Sequence, residues 1–304
     1  MQTIAAAIRI AAFIAATSLL ATVRAQAQDA QRQEFEAAAQ AAKAVTLAGP
    51  SDVKLGEQAV LKLPAGMEFV PQPAAGRLMR AMGNSGDANL LGLVQSTGDA
   101  KWVVLARYEA SGYVKDDDAR EWNVDELFTS LQEGTEAANK ERAQRGFPEL
   151  EIIGWVQKPA YEAANHRLVW SMAARRKGQP DESAQSVNYN TYALGREGYI
   201  SLNLITAREA IEQDKPAAHT LLSALAFNDG KRYEDFNSGT DNVAKYGLAA
   251  LVAGVAVKKL GLFALAAAFF VKFAKLLLLA GIGVLAMIQK FVGGRRNGAN
   301  PPSA

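Results

Sequence analysis

The sequence contains no cysteine and only two histidines, His166 and His219, in 304 residues. The first absence excludes disulfides, thiol nucleophiles and cysteine metal sites. It is neutral about compartment, because a domain of this size does not need covalent staples. Neither histidine has a serine or glutamate at a recognisable motif spacing, so no catalytic triad can be drawn. No phosphate loop, dinucleotide fingerprint or nucleophile elbow is present either. No catalytic residue, metal ligand or cofactor is therefore assigned.

Acidic residues are missing from both ends. Residues 1–27 carry Arg9 and Arg24 without a carboxylate, and no Asp or Glu occurs from Val243 onward. All 31 acidic residues thus lie in 28–242, against 23 of the 33 basic ones, a balance of −8. The C-terminal stretch carries Lys245, Lys258, Lys259, Lys272, Lys275, Lys290, Arg295 and Arg296, which is +8. A nucleic-acid binder would place its positive charge on the folded domain, so nucleic acid is not an expected partner. Positive charge among apolar residues points to anionic lipid headgroups.

Residues 1–27 have the three parts of a secretory signal: Arg9, an apolar run from Ile10 to Val23, and a small-x-small site at Ala25-Gln26-Ala27. Residues 28–48 read as an exposed helical or flexible lead-in. The region 243–292 is nearly all apolar or small apart from its lysines, and reads as a helical membrane-associated segment before a flexible polar tail, 293–304. It lacks any lysine-free run of the ~18 residues that mark a simple span. The stretches Gly247–Val257, Leu260–Val271 and Leu276–Ile288 give only eleven, twelve and thirteen residues. On a continuous helix Lys258, Lys272, Lys275 and Lys290 share an arc of about 100°, with Lys259 outside it. These five are the expected membrane-contacting residues, snorkelling to headgroups or lying along an interfacial helix. A lysine-lined oligomer within the bilayer is the third arrangement. Arg295 and Arg296 place the C-terminus on the cytoplasmic side of the inner membrane and the domain in the periplasm.

Between these ends, 49–242 reads as one α+β domain: an antiparallel β-meander covered by helices, followed by the apolar lysine-containing tail. Strands are expected over Val53–Leu63, Leu90–Val94 and Trp102–Tyr108. A helix opens at Asn123, with Glu126 reaching back, and runs to about Arg145; after Gly134 its face turns polar, so its second half is expected in solvent. Four strand-like runs follow: Glu151–Lys158, His166–Arg175, Ser186–Leu194 and Tyr199–Thr206. A turn around Pro159–Asn165 separates the first two, and Gly195-Arg196-Glu197-Gly198 joins the last two. The meander is expected to have one buried and one wetter face. A helix over Pro216–Phe227 closes the domain.

Asn188, Asn190, Arg196 and His166 are the candidate ligand-binding residues, although a polar, water-facing sheet face accounts for the hairpin residues without any ligand. Asp116-Asp117-Asp118 could hold a divalent cation, but the alternating spacing of a calcium loop is missing, and a solvated turn is the preferred reading.

The order of several short signatures adds a resemblance. Gly154-Trp155, His166-Arg167-Leu168-Val169-Trp170, Asn188-Tyr189-Asn190-Thr191 and Leu194-Gly195-Arg196 follow one another, then Gly239-Thr240-Asp241 and Tyr246-Gly247-Leu248. With Gly112-Tyr113-Val114 and the acidic run, the chain resembles the bacterial domain-of-unknown-function family 2167, described as predicted membrane-anchored proteins. The resemblance implies an exported, membrane-attached protein with no assigned activity, and it supplies no catalytic residue. The leading expectation is a membrane-anchored envelope protein acting as a non-enzymatic interaction or structural module, with an envelope protein as partner. A periplasmic hydrolase with His166, Asp117 and Arg196 converging near the hairpins is the alternative.

Overall fold

Alternation of side chains along the strands decides the architecture. The computed structural model describes residues 30–253, apart from residues 31, 83–85, 121, 145–146 and 181–183. Its strands are β1 (Leu47–Ala48), β2 (Ser51–Leu55), β3 (Ala59–Leu63), β4 (Met67–Pro71), β5 (Leu90–Ser96), β6 (Val103–Glu109), β7 (Leu150–Glu162), β8 (Arg167–Arg176), β9 (Ser186–Leu194), β10 (Tyr199–Ala207) and β11 (Leu225–Phe227). The α-helices are α1 (residues 32–45), α2 (Ala74–Ala81), α3 (Val124–Gln144), α4 (Ile211–Ala224) and α5 (Leu248–Ala253). Eight strands form one antiparallel sheet in the order β1-β4-β5-β6-β10-β9-β8-β7, and β11-β3-β2 form a second. The fold is α+β with antiparallel sheets.

Three layers result. Val104 and Ala106 of β6, Val187 and Tyr189 of β9, and Ile200, Leu202 and Leu204 of β10 project to one side of the large sheet. There they meet Leu61 and Leu63 of the small sheet and Ile211, Leu221 and Leu222 of α4. The alternate residues project to the opposite side. Leu168, Trp170, Tyr192 and Tyr199 pack under α3 and α5. Val70, Leu93, Leu105 and Ile205 pack under α2 and Ala42 of α1. Burial on both faces leaves β9 with no exposed position, so the meander has no wet face in this region.

Three expected elements differ from those observed. The second half of α3 does not lie in solvent: Thr135, Asn139 and Arg142 are buried. Asn139 pairs with both backbone groups of Leu150, donating to its carbonyl at 2.8 Å and accepting from its N–H at 2.9 Å, and Arg142 Nε donates to the Pro148 carbonyl at 2.8 Å. A polar helix face thus docks on the start of β7 by imitating a strand neighbour. β7 itself runs through Pro159 to Glu162 with three register shifts against β8; Pro is tolerated because β7 is an edge strand and needs no N–H there. The closing helix begins at Ile211 rather than Pro216, and Leu225–Phe227 leave it to pair with β3.

Among the described residues, no helix is long and apolar enough to cross a membrane. The signal segment 1–27 and all five membrane-contacting lysines, Lys258, Lys259, Lys272, Lys275 and Lys290, lie outside the described residues.

Candidate functional site

The turn between β7 and β8 ends on His166, whose φ of 51° lies in the left-handed region. A non-glycine residue stays there only where its surroundings hold it. Here they do. The Leu194 N–H donates to the His166 carbonyl at 3.0 Å, the ring stacks on Tyr233 with centroids 4.1 Å apart, and Nδ1 lies 3.2 Å from the Tyr161 hydroxyl. Tyr161 in turn donates to Asp116 Oδ2 at 2.7 Å, and His166 Nδ1 is 3.9 Å from that oxygen.

Burial, and then the Asp116 carboxylate, push the Tyr161 phenol far above its ordinary range. Burial, followed by its neighbour Tyr113, does the same to Tyr233. Both phenols therefore stay protonated and act as donors. With the Tyr161 proton committed to Asp116, the bond to His166 needs a proton on Nδ1. The donors thus run in order from His166 to Tyr161 to Asp116.

The stack continues. Tyr233 lies on Tyr113 at 4.3 Å, and Tyr113 on Phe236 at 3.9 Å, while the Tyr233 hydroxyl donates to the Val114 carbonyl at 2.9 Å. Tyr113 also pairs by its backbone with the chain beyond β11: its N–H donates to Asn242 and its carbonyl accepts from Ala244, both at 2.8 Å. The same segment then turns into α5, whose first free N–H groups, on Leu248 and Ala249, donate to the Asp118 carboxylate at 3.0 and 2.9 Å. A Cβ at Gly247 would stand 2.6 Å from that carboxylate, so glycine there is what admits the cap.

The acidic run is therefore not a solvated turn. Asp116 receives Tyr161 and Asp118 caps α5, because the run lies where two distant segments cross. Only Asp117 matches the exposed reading. Among the described residues no group of three or more His, Asp or Glu is placed to hold a metal ion.

Arg196, in the β9–β10 turn, grips Asp241 with two bonds, Nε to Oδ2 at 2.6 Å and Nη2 to Oδ1 at 2.8 Å. That guanidinium, helped by the Asn237 N–H, holds the Asp241 carboxyl well below the usual carboxylate range. Beside it Lys231 Nζ donates to both oxygens of Glu197 at 2.8 Å. Gly198 permits the turn to press on the neighbouring strand, since a Cβ there would lie 1.9 Å from the Glu109 carbonyl.

The four sequence candidates thus separate into two groups. His166 and Arg196 stand at the same end of the sheet, each bound to a different part of the segment 228–253. Asn188 and Asn190 stand in mid-strand, level with Met172 and Trp170 of β8. They do not face water: their exposures are 1% and 4%, because α3 and α5 on one side and α1 and α2 on the other close over that face. His166, Asp117 and Arg196 make no contact with one another among the described residues. Tyr161, Tyr233 and Asp241 were not read from the sequence as partners of His166 and Arg196. Asp241 figured there only within the Gly239-Thr240-Asp241 signature, because a pairing across 45 positions leaves no local pattern.

The solution structure of cyanobacterial PsbP (CyanoP) from Synechocystis sp. PCC 6803 is similar at 10% identity and a TM-score of 0.35, over 60% of this chain and 91% of that one. A likeness that loose carries no argument about function. No curated protein matches the chain. The family model described as protein of unknown function (DUF2167) matches residues 47–283. The chain belongs to that family.

Proposed function

We propose that this chain is an exported, membrane-anchored bacterial envelope protein whose α+β domain is a non-enzymatic interaction module in the periplasm. The observation that carries the reading is the strap formed by 228–253. Arg196 on Asp241, the Tyr113 backbone on Asn242 and Ala244, and Asp118 on α5 bind this strap to the body of the domain. The residues that follow it are the apolar, lysine-bearing ones. A domain fastened so closely to the root of such a tail would hold a fixed attitude at a membrane surface, which suits presentation of one face to an envelope partner. The charge split between domain and tail supports the same reading, since a tail at +8 favours anionic headgroups.

The lysines give the test. Full-length protein mixed with vesicles of phosphatidylcholine, with and without phosphatidylglycerol, is expected to float with both and more completely with the anionic ones. Replacing Lys258, Lys259, Lys272, Lys275 and Lys290 with glutamine should remove that preference. Equal flotation of wild type and variant on both compositions would contradict the role given to the lysines.

A further inference from the structure

The helical face of the large sheet carries a polar band that its apolar clusters do not absorb. β6 contributes Arg107, β9 contributes Asn188 and Asn190, and β10 contributes Asn203, all at 4% exposure or less. Asn190 pairs across the sheet with Asn203, and Asn203 Nδ2 donates to Asn190 Oδ1 at 2.9 Å. Arg107 Nε is met by Asp87. The Asn188 carboxamide, 1% exposed, has no hydrogen-bond partner at either its oxygen or its nitrogen, and Asn203 Oδ1 has none. Met172 and Ile205 flank Asn188 on the adjacent strands, so the orphaned groups sit between apolar walls.

Burying both ends of a carboxamide unpaired is costly, and folded proteins rarely keep such a group without a use for it. We propose that this band is the recognition floor of an internal site for a small neutral ligand that donates and accepts hydrogen bonds side by side. Asn188 offers one donor and one acceptor on the same group, and Asn203 adds a second acceptor. An amide matches that set, and so does a pair of vicinal hydroxyls. A charged ligand does not match, because Arg107 already has its carboxylate. Met172 and Ile205 would hold the carbon skeleton. Since the floor is enclosed, a ligand reaches it only as the helical layer parts, so uptake is slow and heating hastens it.

The experiment uses the full chain in detergent, labelled with ¹⁵N at asparagine, and follows the Asn188 side-chain NH₂ signals, assigned by their loss in Asn188→Leu. Acetamide serves as the amide probe and glycerol as the diol probe, each incubated with warming. The expected result is a displaced Asn188 NH₂ pair with one of the two, the responding probe naming the chemistry, together with a higher melting temperature. Asn188→Leu, which fills the volume and removes both orphaned atoms, should melt no lower than wild type and gain nothing from either probe. If neither probe moves the signals and the Asn188 NH₂ shows only exchange with water, water serves those groups and the proposal is overturned. A melting-temperature gain that persists undiminished in Asn188→Leu overturns it as well.

Discussion

Asn139 and Asp214 show how single polar residues are used in this core with opposite consequences. Asn139 satisfies both backbone groups of Leu150, which is itself 2% exposed. Its replacement by alanine leaves two buried groups unpaired, at about 1–3 kcal/mol each. Asn139→Ala is therefore expected to lose about 2–6 kcal/mol in urea unfolding, with the slope unchanged; a loss under about 0.5 kcal/mol would show that water takes the place of the side chain. Asp214, in the first turns of α4, is 5% exposed and accepts from the Thr206 hydroxyl. Burial outweighs that bond and raises its carboxyl above the ordinary value. A carboxyl raised in the folded state favours folding when protonated, so stability is lost as pH rises from the unfolded value, about 3.9, through the folded one. Asp214→Asn keeps an acceptor for Thr206 without the charge. It is expected to melt above wild type at neutral pH, with the difference closing as pH falls below about 4. An equal gap at both pH values would assign the effect to packing instead.

At the scale of elements, the strap depends on a carboxylate that reaches 130 positions along the chain to cap a helix. Removing an N-cap costs about 0.5–2 kcal/mol of local stability. Asp118→Ala should accordingly speed amide exchange at 248–253 several-fold, while Asp117→Ala, which alters an exposed carboxylate, should leave it unchanged. Equal rates in all three proteins would remove the cap from the account. This clasp was not legible in the sequence, because capping is read locally and Asp118 and Leu248 are far apart. Local signals did serve elsewhere. Asn123 begins α3 as expected, its Oδ1 accepting from the Asp125 and Glu126 N–H groups at 3.1 and 3.3 Å, although the Glu126 carboxylate meets the Asn123 side chain rather than its backbone. The strands β8, β9 and β10 were readable from alternation, and their hairpin from two glycines. What alternation could not show was how many layers cover a sheet. Polar residues at every second position of β9 suggested water, whereas helices from both ends of the domain bury them.

For the molecule as a whole, two physical facts stand together. Every acidic residue lies within 28–242, which balances at −8, and the excess of basic charge, +8, runs from Lys245 in the strap into the chain beyond it. The proposed interaction module needs a stable body and a fixed attachment, and the strap, bound to that body by Arg196, Tyr113 and Asp118, would supply the second. On this account the tail anchors and the domain presents itself outside the inner membrane. Protease added to cells with a permeabilised outer membrane tests that claim most directly, read by fractionation and by antibodies to the domain and to the C-terminus. The account predicts a mature chain beginning at Gln28, found wholly in the membrane fraction, whose domain is degraded from outside while a C-terminal fragment stays protected. A domain that stays intact until the inner membrane is broken, or a chain recovered in the soluble fraction, would contradict it.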